Sequence, residues 1–322
     1  DALTALNSTD ADGTIAIGYQ AGKAITSGRY STFVGYAAGY SSDTNDGNTF
    51  IGYLAGYEAD ASTVVAGQNT YIGAFAGRFL DDGTDNVAIG YDAMASNSDG
   101  AANAVNYSIA IGRNAMASSD SNQGTIAIGY YANDHASADV DNAVIIGREA
   151  GRGAMTSGAD GTVAIGYAAS QALTSGAGLT AVGYQAATSM VDGHSNTAFG
   201  YQALYSEVAS DESTAIGYRS LYSQSGSTST LGNTAVGNLA GYNTTTAYRN
   251  TYVGKSAALS VTTGQQNTAI GWAALQTVTT GAGNTAVGAM AGSQVSGSSY
   301  NNVFVGDQAG YGRTQTAGNV LV

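Results

Sequence analysis

The sequence predicts an all-β protein, a parallel β-solenoid of about 17–18 turns, and three observations carry that expectation. A glycine preceded by a short apolar run recurs 17 times in 322 residues, at positions 18, 35, 52, 73, 90, 112, 129, 147, 166, 183, 200, 217, 237, 254, 271, 288 and 306. Ten of the 16 intervals equal 17 residues and the others run from 18 to 22. The residue three before the glycine is Thr, Val or Ile in every copy, and the residue one before is Ile or Val in all but Phe199. These are β-branched strand formers at period 2. The chain contains no proline, as a stack in which every strand uses its N–H requires. A unit this short cannot bury its own apolar face, so like strand must stack on like. At ~4.7–4.9 Å per turn the stack predicts a rod roughly 80 Å long.

With the glycine as position zero, each copy resolves into elements. Position −2 is Ala in 11 copies and otherwise Phe33, Phe50, Tyr71, Ile145, Tyr252 or Phe304, and position +3 is Ala in every copy except Ser220. The pattern predicts a strand of about five residues, a bend at the glycine, a second short segment and a return loop. Every length change falls in the return loops, notably Glu58–Gly67 and Ala95–Asn106. Position −4 is Asn in nine copies, among them Asn69, Asn86, Asn250 and Asn267. Stacked one turn apart, these amides are expected to hydrogen-bond in a ladder. The hydrophobic −1 positions are expected to face inward, with Ile17, Ile89, Ile165 and Ile270 in one stacked core. The Ala at −2 is then expected outside, as a smooth stripe at which chains pack closely.

Composition narrows the function classes. The 322 residues include 46 Gly, no Cys and two His, and carry a net charge of −13. Without thiolates, and with only His135 and His194 as imidazoles, a tetrahedral zinc site has too few ligands. The acidic balance argues against nucleic acid as a partner, and no apolar run approaches the ~20 residues of a membrane span. One solenoid domain over 1–322 is expected: residues 1–160 hold the irregular, acidic copies, with 18 Asp and Glu against 6 Lys and Arg, and residues 161–322 the regular copies, with 5 against 4. The first residue is not Met and the last four begin an eighteenth strand, so the chain is read as a fragment of a longer fibre.

No catalytic, cofactor-binding or metal residue emerges. Tyr follows the glycine in nine copies, from Tyr19 to Tyr218; such a row either stacks on sugar rings or covers the bend of the solenoid, and the second reading is favoured. The turns Asp43–Asn48 and Asp81–Asn86 are oxygen-rich enough for Ca²⁺, but read better as solvated turns that block edge pairing. Asp139 with Asp141, and Asp211 with Glu212, are the carboxylate pairs a polysaccharide depolymerase would need. Both lie in unremarkable return loops, so the chain is read as not an enzyme. An ice-binding solenoid needs a flat outward Thr array. Thr stands at −3 in ten copies, but it shares the position with Val and Ile, which suggests that the position faces inward.

The strings TIAIGYQAG (Thr14–Gly22), TVAIGYAAS (Thr162–Ser170) and NTAIGWAAL (Asn267–Leu275) resemble the head repeats of trimeric autotransporter adhesins of the YadA type and similar repeats of bacteriophage tail fibres. The resemblance spans essentially the whole chain, although the adhesin repeat is nearer 14 residues than 17. It implies a left-handed parallel β-roll, three parallel chains side by side, and an extracellular place on a bacterial surface or in a virion tail fibre. The function it implies is that of a structural and adhesive segment that presents a rigid rod to a cell-surface receptor or glycan.

Overall fold

The computed structural model describes residues 2–3, 12–42, 46–58, 67–80, 83–96, 105–118, 121–135, 140–226, 230–295, 297–312 and 317–322. Most of the length-variable loops Glu58–Gly67 and Ala95–Asn106, parts of the turns Asp43–Asn48 and Asp81–Asn86, and Asp139 lie outside the described residues.

The chain is a β-solenoid, with eighteen short strands among the described residues and every pairing between them parallel. Two compact units divide it, Asp1–Thr162 and Val163–Val322. In the first, β1 (Ile15–Ile17) to β8 (Val144–Ile146) pair in sequence order. In the second, β9 (Val163–Ile165) to β18 (Val320–Leu321) do the same. Like sits on like, as the repeat requires: Thr180, Ala181 and Val182 of β10 lie opposite Thr197, Ala198 and Phe199 of β11. The strands run only from −3 to −1, three residues rather than five, because the glycine ends them. Gly217 has φ +130°, and a Cβ built on it would meet the Gly237 carbonyl oxygen at 2.5 Å. The glycine column is therefore where successive turns touch through bare backbone.

Beyond the glycine the chain forms a staircase of turns and not a second strand. Positions +2 and +4 are left-handed even without glycine, as at Gln202 (φ 52°) and Leu204 (φ 50°). The Gln202 N–H donates 2.9 Å back to the Tyr184 carbonyl of the preceding turn, and the Leu204 N–H donates 3.1 Å forward to the Ser220 carbonyl of the next. Alternating the sign of φ points successive N–H groups up and down the stack, so the corner is hydrogen-bonded almost as a strand would be. Each such non-glycine residue gives up about 1–2 kcal/mol to hold that conformation.

The two faces of the strand are the reverse of the expected ones. Ala164, Ala181, Ala198 and Ala215 at −2 are fully buried inside their own turns, so they form no external stripe. The −1 side chains point out: Ile17 is 60% exposed, Phe199 54% and Ile270 39%, while Ile89 and Ile165 are half-buried. The reason is volume. The interior is narrow, and the wall opposite the strand fills it with Ala at +3, Leu or Met at +4 and aliphatic residues at +7 such as Leu173, Met190, Val261 and Val278. Where −2 is large, +4 shrinks: Phe33 meets Gly39, Phe50 meets Gly56, Tyr71 meets Gly77 and Phe304 meets Gly310. Where −2 is Ala, Met94, Met116, Leu204, Leu221 and Leu275 occupy +4. Gly22, Gly241 and Gly292 accompany Ala at −2, and there the ring of the following turn, Phe33, Tyr252 or Phe304, fills the space.

The expected asparagine ladder is present and buried. Asn250 donates through Nδ2 to Asn233 Oδ1 (3.0 Å) and to the Gly264 carbonyl (3.0 Å), and its Oδ1 accepts from the Asn267 N–H (2.8 Å). In the first unit Asn69 donates to the Gly83 carbonyl (2.7 Å) and accepts from the Asn86 N–H (3.0 Å). Amides such as these tie a strand entry to the return loop of the next turn and satisfy buried backbone groups that no strand pairing reaches.

The size exchange between −2 and +4 is testable. Ala198→Phe overfills the space already held by Leu204 and should cost about 1–3 kcal/mol, while Leu204→Gly alone leaves a cavity and should cost about 2–5 kcal/mol. Ala198→Phe combined with Leu204→Gly recreates the pairing seen at Phe50 and Gly56, so denaturation midpoints should show the double variant more stable than either single one.

Candidate functional site

A solenoid presents its surface as rows, and three rows carry chemistry here. The first is the outward face of the strands, where −3 and −1 alternate with the buried −2. From β10 (Thr180–Val182) to β16 (Thr285–Val287), seven consecutive strands place Thr at −3. Beside them stand Val182, Phe199, Ile216, Val236, Val253, Ile270 and Val287 at −1. Repetition every ~4.8 Å along the stack, with ~6.7 Å between −3 and −1 within a strand, makes this face flat and regular. The inward position expected for Thr at −3 is thus corrected: these side chains are half-buried on the outer face. A contiguous face of Ile, Val and Phe is far more apolar than a solvated surface needs to be.

The second row is the tyrosines at +1. Tyr184 and Tyr201 stack with centroids 5.0 Å apart and planes 6° from parallel, Tyr201 and Tyr218 at 5.3 Å and 14°, and Tyr19 and Tyr36 at 5.4 Å and 24°. Stacked this way, each inner ring gives both faces to its neighbours and only its edge and hydroxyl to water. A sugar ring packs on an aromatic face, so within the row there is no platform for one. The third row, at +5, is not marked by spacing in the sequence because that position is tyrosine in some copies only. Tyr205, Tyr222 and Tyr242 stack at 5.0 and 5.1 Å. The Arg219 guanidinium lies 5.2 Å from the Tyr218 ring and 5.3 Å from the Tyr222 ring, joining the two rows.

Of the carboxylates singled out by sequence, Asp141 and Asp211 serve the backbone. Asp141 Oδ1 accepts from the Gln123 N–H (2.8 Å), and Asp211 Oδ1 from the His194 N–H (2.8 Å), while the neighbouring Glu212 is exposed. Glu207, fully buried at a +7 core position, accepts from the N–H groups of Val208 (2.9 Å), Ala209 (3.1 Å) and Ser210 (2.9 Å) through one oxygen. It holds a return loop closed. His135 and His194 each pair with one carboxylate, His135 with Asp134 at 3.1 Å and His194 with Asp192 at 3.6 Å. Among the described residues no group of three or more His, Asp or Glu comes together as a metal site, and no helix is long and apolar enough to cross a membrane.

No protein-family model and no curated protein matches the chain.

The reversed facing separates two neighbouring substitutions. Ala164→Asp puts an unpaired charge into the closed interior and should cost several kcal/mol, on the order of the burial of a polar group without a partner. Ile165→Asp places the same charge on the outer face and should leave the far-ultraviolet dichroism of the chain unchanged.

Proposed function

We propose that this chain is a structural and adhesive fibre segment of a bacterial surface or virion tail fibre, assembled as a parallel homotrimer and without enzymatic activity. The observation that supports this reading most is the outward face of the strands. In the unit Val163–Val322, Phe199, Ile216, Val253, Ile270, Val287 and Val305 are each at least 36% exposed on the outer side of their strands, and in the unit Asp1–Thr162 so are Ile51 and Ile72. Water contact with such a face forfeits roughly 25 cal/mol per Å² of apolar area, and each added turn adds the same increment. A second copy of this chain carries the same face with the same repeat, so side-by-side copies match turn for turn. The contact expected of an Ala stripe thus passes to the Ile and Val face; the number three comes from the resemblance to the adhesin repeats. The rest of the surface, its loops above all, stays outside and is what a cell-surface receptor or glycan would meet.

Sedimentation equilibrium of the purified chain should give three times its 32.1 kDa mass. Phe199→Arg, Ile216→Arg and Val236→Arg together should yield folded monomers, since none of the three side chains fills the interior. A folded monomer from the unmodified chain would overturn the proposal.

One observation favours a second reading in that event. The seven consecutive outward Thr residues of β10 to β16, flanked by aliphatic side chains, form the regular array that ice binding requires. A monomer that shapes growing ice crystals and loses that activity on Thr214→Lys with Thr251→Lys would support it; a trimer that leaves ice growth untouched would exclude it.

A further inference from the structure

Position +5 carries a long side chain in most turns, Lys23, Tyr40, Tyr57, Arg78, Arg152, Gln171, Tyr205, Tyr222 and Gln276 among them, but Ala95 and Ala117 in two successive turns. The row is therefore broken by a notch of about 100 Å³, with Ala95 and Ala117 as its floor. Arg78 closes one end and Asp134 the other, and Asp92 and Asn114 at +2 form its side. Asp92 and Asp134 belong to turns two apart, an axial separation of about 10 Å.

These groups are held in place and left incompletely used. The Arg78 guanidinium is clamped 4.7 Å from the Phe75 ring and 4.6 Å from the Phe79 ring. Its Nε is buried with no hydrogen-bond partner, and so is Asp92 Oδ1, although Tyr91 reaches the same carboxyl. Asp134 is 6% exposed and pairs with His135 through Oδ2. Burial pushes the carboxyls of both Asp92 and Asp134 above the ordinary carboxylate range, against the pull of Arg78 and Arg113 on the first and of His135 and Arg152 on the second. Buried polar atoms without partners are costly, and two of them, Arg78 Nε and Asp92 Oδ1, belong to side chains that line the notch, where a ligand that supplies both donors and acceptors fits the lining.

We infer that the notch between Arg78 and Asp134 is a subsite for one residue of a neutral saccharide, held by Asp92, Asn114 and the Arg78 guanidinium at adjacent ring hydroxyls. Charge balance selects the class. Two carboxylates repel an anion, and Arg78 with its neighbours repels a divalent cation. A hydroxyl donates to Asp92 and accepts from Arg78 or the Asn114 amide at once. The volume equals about three waters, the footprint of one edge of a pyranose whose remainder stays outside. The inference rests on the proposed adhesive role for its biological meaning, but it concerns a part of the turn other than the strand face at which copies associate.

Saturation-transfer NMR on the intact chain tests it, with the methyl pyranosides of glucose, galactose, mannose, rhamnose, fucose and N-acetylglucosamine as probes at up to 50 mM. At least one should show transfer, with at least a tenfold weakening on Asp92→Ala and loss of transfer in Ala95→Gln with Ala117→Gln. That double variant fills the notch with the side chain the solenoid already carries at Gln171 and Gln276, so its fold should hold, as dichroism will check. Absence of transfer from all six probes, or transfer undiminished in the filled variant, would overturn the inference. Binding of Ca²⁺ alone that Asp92→Ala abolishes would overturn it in favour of a cation site. Sedimentation of the same samples reports separately on the proposed trimer.

Discussion

The structure depends on one requirement: every turn must pass its backbone N–H and C=O groups to the turns before and after it. In the strands parallel pairing does this without cost. At the corner it is possible only because φ alternates in sign, so that the Gln185 N–H reaches back 2.8 Å to Tyr167 and the Ala187 N–H reaches forward 2.9 Å to Ala203. Left-handed conformations at such residues are tolerated because a hydrogen bond to each neighbouring turn holds them there. At position zero no such tolerance exists. The φ values there lie between 122° and 144°, and at Gly18, Gly183 and Gly288, as at most of the column, backbone of the next turn sits where a Cβ would be. The glycine is therefore the one position the repeat cannot vary, and the one from which the period can be counted.

Axial pairing also fixes the width of each turn, and width decides which side chains go in. With three-residue strands and a tight corner, the space shared by −2 and +4 holds at most one large residue per layer. Phe50 and Gly56, or Ala198 and Leu204, are two ways of filling the same cross-section. Packing at interior density leaves no room for a β-branched side chain at −1 as well. The Ile and Val columns are driven out because the space inside is already taken, in spite of their hydrophobicity. An apolar face of this kind comes from the narrowness of the coil and is inherited by every turn.

The period, the parallel register and the asparagine ladder were legible in the sequence because each depends on identity at a fixed spacing. The facing was not, because strict alternation reads the same from either side and hydrophobicity alone favoured Ile165 over Ala164 as the buried residue. A signal that would have settled it stands in the chain: large residues at −2 coincide with Gly or Ala at +4, from Phe33 and Gly39 to Phe304 and Gly310. Only residues that share an interior must trade volume. The buried +7 position was harder to see. It lies where the return loops begin to vary, and Glu207, Gln224 and Thr244 occupy it in three successive turns. There hydrogen bonds such as those from Gln224 Nε2 to Ser210 Oγ (3.2 Å) and Ser213 Oγ (2.9 Å) replace aliphatic contact, so no apolar period marks the position.

Regularity bears on function in the same way. A row in which each residue stacks on its own kind largely engages itself: stacked tyrosines cover one another's faces, and asparagines such as Asn250 and Asn284 donate to the amide oxygen of the one before. Such rows supply stiffness and a uniform face, both of which suit association with an identical chain. Recognition of anything else needs groups that the row does not itself engage, and the interruption of a row is one place that supplies them. The notch was invisible to spacing arguments for that reason. Its Arg78, Asp92, Asn114 and Asp134 come from four consecutive copies and from two different positions of the repeat. The stack alone brings them to one opening, so a reading that follows one column of the repeat at a time does not see them.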